Sequence, residues 1–228
     1  MLFRQFFDKT SSTYTYLLAT DYGREALIID PVLEHASLYT SLIKEFNLEL
    51  KLSLDTHVHA DHVTASGVLA KETGCQIGMG EQSKAGYLDR RLKDGEVISL
   101  GGLSLKVLYT PGHTDDSYCF LMSDRVFTGD TLFIRGTGRT DFQHGSSEAA
   151  YDSLFNKLLC LPEETLVYPG HDYKGMMVST IGEEKRFNPR LQVSSAKEYA
   201  QLMAGLNLEK PKLIDIAVPV NLKCGITA

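Results

Sequence analysis

The sequence predicts an α/β fold in which two mixed sheets lie between outer helices, an αββα layering. Three observations predict it. Strand-like segments dominate the middle of the chain, helix-like segments punctuate both halves, and no repeat, low-complexity tract or Pro/Ser-rich linker divides the 228 residues. A chain of 228 residues is long enough for one large core and short for two. Residues 1–228 are therefore expected to form a single domain.

The elements follow in order. "TYTYLLAT" (13–20) alternates and is rich in β-formers, and "EALIID" (25–30) follows a "DYG" turn. Residues 35–46 have the apolar spacing of a helix. "LELKLSLDT" (48–56) reads as a strand, and 62–73 as a helix. "EVISL", "LSLKVLYT", "SYCFLM" and "RVFTGD" are short strands separated by Gly- and Asp-rich turns. Residues 147–159 suit a helix, "TLVYPGH" (165–171) a strand and loop, and 194–205 a last helix.

Composition narrows the function. Lys plus Arg is 23 against 29 for Asp plus Glu, a formal charge of −6, so no basic excess exists to neutralise nucleic-acid phosphates. No apolar run reaches membrane-spanning length, and "MLFRQFFDKTSS" lacks the apolar stretch of a secretion signal. A cytoplasmic chain is expected, or a mitochondrial matrix one if it is eukaryotic and already processed. The four cysteines form no CxxC pair and read as free thiols in a reducing compartment. Cys75, Cys119 and Cys160 sit in apolar segments and read as core.

"THVHADH" (56–62) packs three histidines and an aspartate into seven positions. His57 and His59 are two apart, which puts both on one face of an extended segment. Asp61 and His62 lie where the chain turns toward a helix, and Asp61 as its N-cap with a surface His62 is the plainer reading. Three further strands end in candidate ligands: His113 after "LKVLYTPG", Asp130 after "RVFTG" and His171 after "TLVYPG". Gly112, Gly129 and Gly170 precede them and allow sharp turns. Five of the seven histidines lie in these motifs, leaving His35 and His144 as surface residues.

This pattern of HxHxDH, a lone His after TPG, then GD and a late GH, resembles the metallo-β-lactamase superfamily. The resemblance covers nearly the whole chain and implies the αββα sandwich with its site at one edge. That superfamily includes dizinc hydrolases such as glyoxalase II, and all seven positions of a two-metal site are present, so a dizinc thioester hydrolase is the alternative. "DTLFIRGTGRTDFQHG", "YPGHDYKG", "FNPRL" and "IDIAVPVNLKCG" are closely similar to the persulfide dioxygenases. That family oxidises glutathione persulfide with O2 to glutathione and sulfite at one non-haem Fe(II). By motif position, the resemblance implies iron ligands His57, His113 and Asp130. His59, Asp61, His62 and His171 would then be second-site residues that hold no metal. Two imidazoles and one carboxylate suit a facial triad with positions left for O2 and sulfur, and a redox-inert zinc could not do this chemistry.

Glutathione carries two carboxylates, so cations are expected around it. Arg135, Arg139 and Arg190 lie in the family-like stretches, and guanidinium can grip a carboxylate with two parallel bonds. Tyr173, two residues past His171, could reach the same pocket with its hydroxyl. Against this, "GTGRTDF" could be a loop tied by Arg139 and Asp141. Cys224 reads as a small buried hydrophobe. Oligomeric state is left open, a homodimer included.

Overall fold

In the computed structural model, which describes residues 1–226, the apolar runs near the N-terminus become inner strands of a sheet. The chain divides into two compact units. One comprises Met1–Leu92, Val97–Leu105 and Lys210–Ala228, the other Lys93–Glu96 and Lys106–Glu209.

The first sheet has six strands in sequence order: β1 (Leu2–Phe7), β2 (Tyr14–Ala19), β3 (Glu25–Ile29), β4 (Glu49–Leu54), β5 (Gln76–Gly80) and β6 (Arg90–Leu92). All six residues of β2 are buried, as expected for a strand covered on both faces. β1, β2 and β3 pair antiparallel, whereas β3, β4, β5 and β6 run parallel. Helices α1 (Ala36–Glu45) and α2 (Ser66–Thr73) supply the parallel crossovers. Ala36, Tyr39 and Ile43 form the buried stripe of α1, and Gly74 closes α2 in the left-handed conformation that glycine adopts without a Cβ penalty.

The second sheet contains β7 (Val97–Leu100), β8 (Leu103–Tyr109), β9 (Tyr118–Leu121), β10 (Arg125–Gly129), β13 (Leu166–Pro169) and β14 (Ser179–Thr180), in the order β14-β13-β10-β9-β8-β7. β11 (Leu132–Phe133) and β12 (Gly136–Thr137) form a small separate hairpin. β10 and β13 pair parallel, and the neighbouring pairs β8–β9, β9–β10 and β13–β14 are antiparallel. Helices α3 (Ser147–Asp152), α4 (Ile181–Phe187) and α5 (Ala196–Ala204) belong to this second unit. Its core joins Val126 and Val167 of the sheet to Leu154, Ile181, Tyr199 and Met203. The last helix, α6 (Ile214–Asn221), lies in the first unit.

Several expectations change. The helix expected over 62–73 begins only at Ser66, because residues 55–65 are spent on buried side-chain contacts that a regular helix would forbid. Its N-cap is Ala65, with no side-chain cap. Asp61 instead accepts from Thr13, and His62 is buried rather than on the surface. The helix expected over 147–159 widens at Ser153–Lys157 and tightens at Leu158–Cys160. Cys160 is exposed, not core, while Cys75, Cys119 and Cys224 are buried. His35 is half-buried and paired with Asp8, and His144 is exposed.

Strand direction places the candidate ligands. Parallel pairing sets Ile29 beside Leu54, so Asp30 and the Asp55-Thr56-His57 run leave the first sheet at one edge. In the second sheet Gly129 pairs with Pro169, which sets Asp130 beside Gly170 and His171. β8 is antiparallel to β9, and β9 to β10, so His113 follows the same end of the sheet as Asp130.

Candidate metal centre

The first unit carries His57, His59, Asp61 and His62. The three imidazoles are buried, with ring centroids 4.2 Å apart for His57–His59 and 4.4 Å for His59–His62. Asp30 organises them. Its carboxylate accepts from the Thr56 N–H at 2.7 Å, the Thr56 hydroxyl at 3.0 Å and His59 Nε2 at 3.0 Å. The Thr56 hydroxyl has one proton and gives it to Asp30. Its contact with His57 Nδ1 at 3.1 Å must therefore be donated by the ring, leaving the His57 lone pair on Nε2. Asp30 reaches this geometry with a positive φ of 50°, a local cost of about 1 kcal/mol for a residue with a Cβ.

His59 is clamped between Asp30 at 3.0 Å and Asp55 at 3.7 Å. Burial opposes its charge, but the Asp30, Asp55 and Asp61 carboxylates together outweigh this and push its pKa up to about 10. Its Nδ1, like His62 Nε2, is buried with no hydrogen-bond partner among the described residues. His62 Nδ1 contacts Asp61 at 2.9 Å. One donor atom each from His59, Asp61 and His62 falls within a 4.8 Å cluster.

The second unit carries His113, Asp130 and His171. His113 Nδ1 donates to the Arg139 carbonyl at 2.8 Å, so the neutral ring presents its lone pair on Nε2. That atom lies 3.5 Å from Asp130 Oδ2, and His171 Nε2 lies 3.4 Å from Asp130 Oδ1. A lone pair and a carboxylate oxygen facing each other repel unless a cation or proton lies between them, so this pair fits a metal ion. Glycines make room for it. A Cβ on Gly170 would lie 2.5 Å from Asp130 Oδ1, and one on Gly138 would lie 3.0 Å from the His113 ring. Gly112 has φ 146° and Gly129 φ 46°, so these two supply turns while Gly170 supplies close approach.

The substrate candidates separate by partner. Arg135 donates to Glu183 and Glu184 and stacks on Phe187. Arg139 grips Asp141 at 2.6 and 2.8 Å and reaches the Glu209 carbonyl at 2.6 Å. Both guanidinium groups are thus engaged in holding loops, and it is the Arg139 backbone that orients His113. Arg190 is half-buried and donates to the Thr137 carbonyl, with no ion pair among the described residues. Burial lowers its pKa, against the opposing effect of Tyr199 and Tyr173. Tyr173 is 73% exposed, and its ring stacks at 6.0 Å on His171.

Asp30, Thr56 and Asp55 escaped the motif reading. The signal was present: "EALIID" ends an apolar strand with an acid as "RVFTGD" does. Thr56→Val removes the hydroxyl between Asp30 and His57 at nearly constant volume. It is expected to weaken metal binding by about 10- to 100-fold, as loss of a ligand's orienting partner usually does. Chelator competition on the purified protein measures this.

Comparison with known proteins identifies the family. The metallo-beta-lactamase superfamily matches residues 9–171. The bovine protein "Persulfide dioxygenase ETHE1, mitochondrial" is 47% identical over 99% of this chain and 89% of its own. Its human counterpart is 46% identical over the same shares. The crystal structure of ETHE1 from Myxococcus xanthus superposes with a TM-score of 0.96 at 51% identity, covering 99% of this chain and all of that one. The chain belongs to the metallo-β-lactamase superfamily, whose fold it has, and within it to the persulfide dioxygenases.

Proposed function

We propose that the protein, acting as a single domain, converts glutathione persulfide, O2 and water to glutathione and sulfite at a single Fe(II) held by His57, His113 and Asp130. What supports the reading is the likeness to the persulfide dioxygenases over 99% of this chain, together with two imidazoles and one carboxylate at the motif positions. Both imidazoles are oriented by hydrogen bonds at Nδ1, one to Thr56 and one to Arg139. Fe(II) bound there would supply the electron transfer and the open coordination positions that O2 and a persulfide sulfur require.

The residues of the chain perform the rest. Arg190 grips a glutathione carboxylate, because its guanidinium is half-buried and has no carboxylate partner among the described residues. The Tyr173 hydroxyl donates to the same ligand from the mouth of the site. Asp30 and Thr56 hold the His57 tautomer, and the Arg139 carbonyl holds that of His113. His59, Asp61, His62 and His171 orient neighbours without binding metal. The formal charge of −6 gives no electrostatic reason for nucleic acid as a partner. No helix among the described residues is long and apolar enough to cross a membrane.

A second reading has its own support. His62 Nε2 and, once the ring gives up the proton that Asp30 favours, His59 Nδ1 have no hydrogen-bond partner among the described residues, as ligands of a second metal would. Metal content and O2 uptake separate the two readings. About one iron per chain with rapid uptake on fresh glutathione persulfide is expected. Two zincs, no uptake and cleavage of a glutathione thioester would replace the dioxygenase with a hydrolase.

A further inference from the structure

We infer that Asn221, at the end of α6, is a positioning residue that clamps the loop carrying His57, His59 and His62, so that the C-terminal segment sets how firmly the metal is held. The inference rests on His57 being a metal ligand. Residues 55–65 have no regular structure and are largely buried, so their backbone groups need partners from elsewhere. Asn221 supplies three. Its Nδ2 donates to the carbonyls of His59 at 2.9 Å and His62 at 2.8 Å, and its Oδ1 accepts from the Thr64 N–H at 2.9 Å. The side chain is buried, so water cannot replace it. Two donors and an acceptor on one short planar group match two carbonyls and one N–H. An aspartate would set oxygen against both carbonyls.

The residues after Asn221 continue the clamp. The Cys224 carbonyl accepts from the Gly67 N–H at 2.9 Å, in the first turn of α2, where no side chain caps the helix. The approach is close from both sides. A Cβ on Gly67 would lie 2.7 Å from the Cys224 carbonyl, and one on Gly225 would lie 2.1 Å from the Thr64 carbonyl. Gly225 also has φ +75°. The tail "NLKCG" is thus shaped to the loop "VTASG". Cys224 takes part through its backbone, since burial pushes its thiol pKa up to about 11 and keeps it protonated. Asp30 and Thr56 fix the near side of the loop, and Asn221 fixes the far side.

The test is the rate at which a chelator strips metal from the purified holoprotein at 25 °C, for wild type, Asn221→Asp and Asn221→Ala. Ile43→Ala, a core change in α1 remote in sequence from the loop and tail, serves as the destabilised control. Both Asn221 variants are expected to release metal at least tenfold faster than wild type. Their kcat should fall more than their KM rises, since Asn221 does not touch the substrate. Ile43→Ala should release metal at the wild-type rate despite a lower Tm. Wild-type release from the Asn221 variants would overturn the clamp, as would equal acceleration in Ile43→Ala at matched Tm. If neither Asn221 variant folds, Gly225→Ala presses the same loop from the other side and must accelerate release. Elemental analysis beforehand keeps the two readings apart. Zinc in place of iron would count against the dioxygenase, while the release comparison would still report on Asn221.

Discussion

Asp130→Ala is expected to abolish both iron binding and persulfide-dependent O2 uptake. The Asp130 carboxylate is buried and lies 3.5 Å from the His113 imidazole and 3.4 Å from that of His171. It is the one negative charge in the assigned ligand set. Removing it leaves neutral imidazoles to hold a divalent cation in a desolvated site, which Coulomb attraction no longer favours. Asp130→Asn keeps the shape and one oxygen but not the charge, so it should retain little iron. His62→Ala is the informative contrast. His62 shares its Nδ1 with Asp61 and belongs to the cluster assigned no metal, so this variant should keep most of its iron. Elemental analysis and an oxygen electrode on the three proteins decide the matter. Iron loss in His62→Ala as severe as in Asp130→Ala would count against a mononuclear centre.

Much of this was legible before any coordinates, for physical reasons that differ by residue. β2, β3, β4 and β8 were readable because burial on one or both faces writes itself into an apolar or alternating run, as in "LSLKVLY". The ends of β4, β8, β10 and β13 were readable because Gly or Thr followed by His or Asp interrupts such a run. What failed to show is long-range. β1 carries mostly half-buried residues, "LFRQFF", with no strict alternation. β5 is "QIGMG", where Gly78 is demanded by Leu54, whose side chain a Cβ would meet at 2.9 Å. Asn221 contacts residues about 160 positions earlier, which no local pattern encodes. The arginines were ambiguous for the same reason: Arg135 meets Glu183 and Glu184, 48 and 49 residues on, and those pairings distinguish it from Arg190.

Arg190→Ala should lower kcat/KM for glutathione persulfide by about 10- to 150-fold, mainly through KM. The expectation starts from how the side chain is held. Asn188 accepts from the Arg190 N–H at 3.1 Å, and its own Nδ2 donates to the Gly136 carbonyl at 2.9 Å. Pro189 sits at the first position of the short turn, where its fixed φ costs nothing. The arginine is therefore aimed by its neighbours and tied at one end to Thr137, with no carboxylate of the chain among its described partners. A half-buried guanidinium without a counter-ion is costly to keep unless a ligand supplies the charge. A charge-assisted contact of this kind is typically worth about 1.5–3 kcal/mol, which at about 1.4 kcal/mol per decade gives the stated range. Because a remote carboxylate is bound alike in ground and transition states, KM should rise more than kcat falls. Arg190→Lys should recover only part of the loss, since an ammonium cannot make the two-pronged contact. Iron content should match wild type in both variants. Steady-state O2 consumption over a range of glutathione persulfide concentrations tests this. An unchanged KM in both would show that Arg190 serves only its turn, and the carboxylate would then be held by backbone amides or by Tyr173.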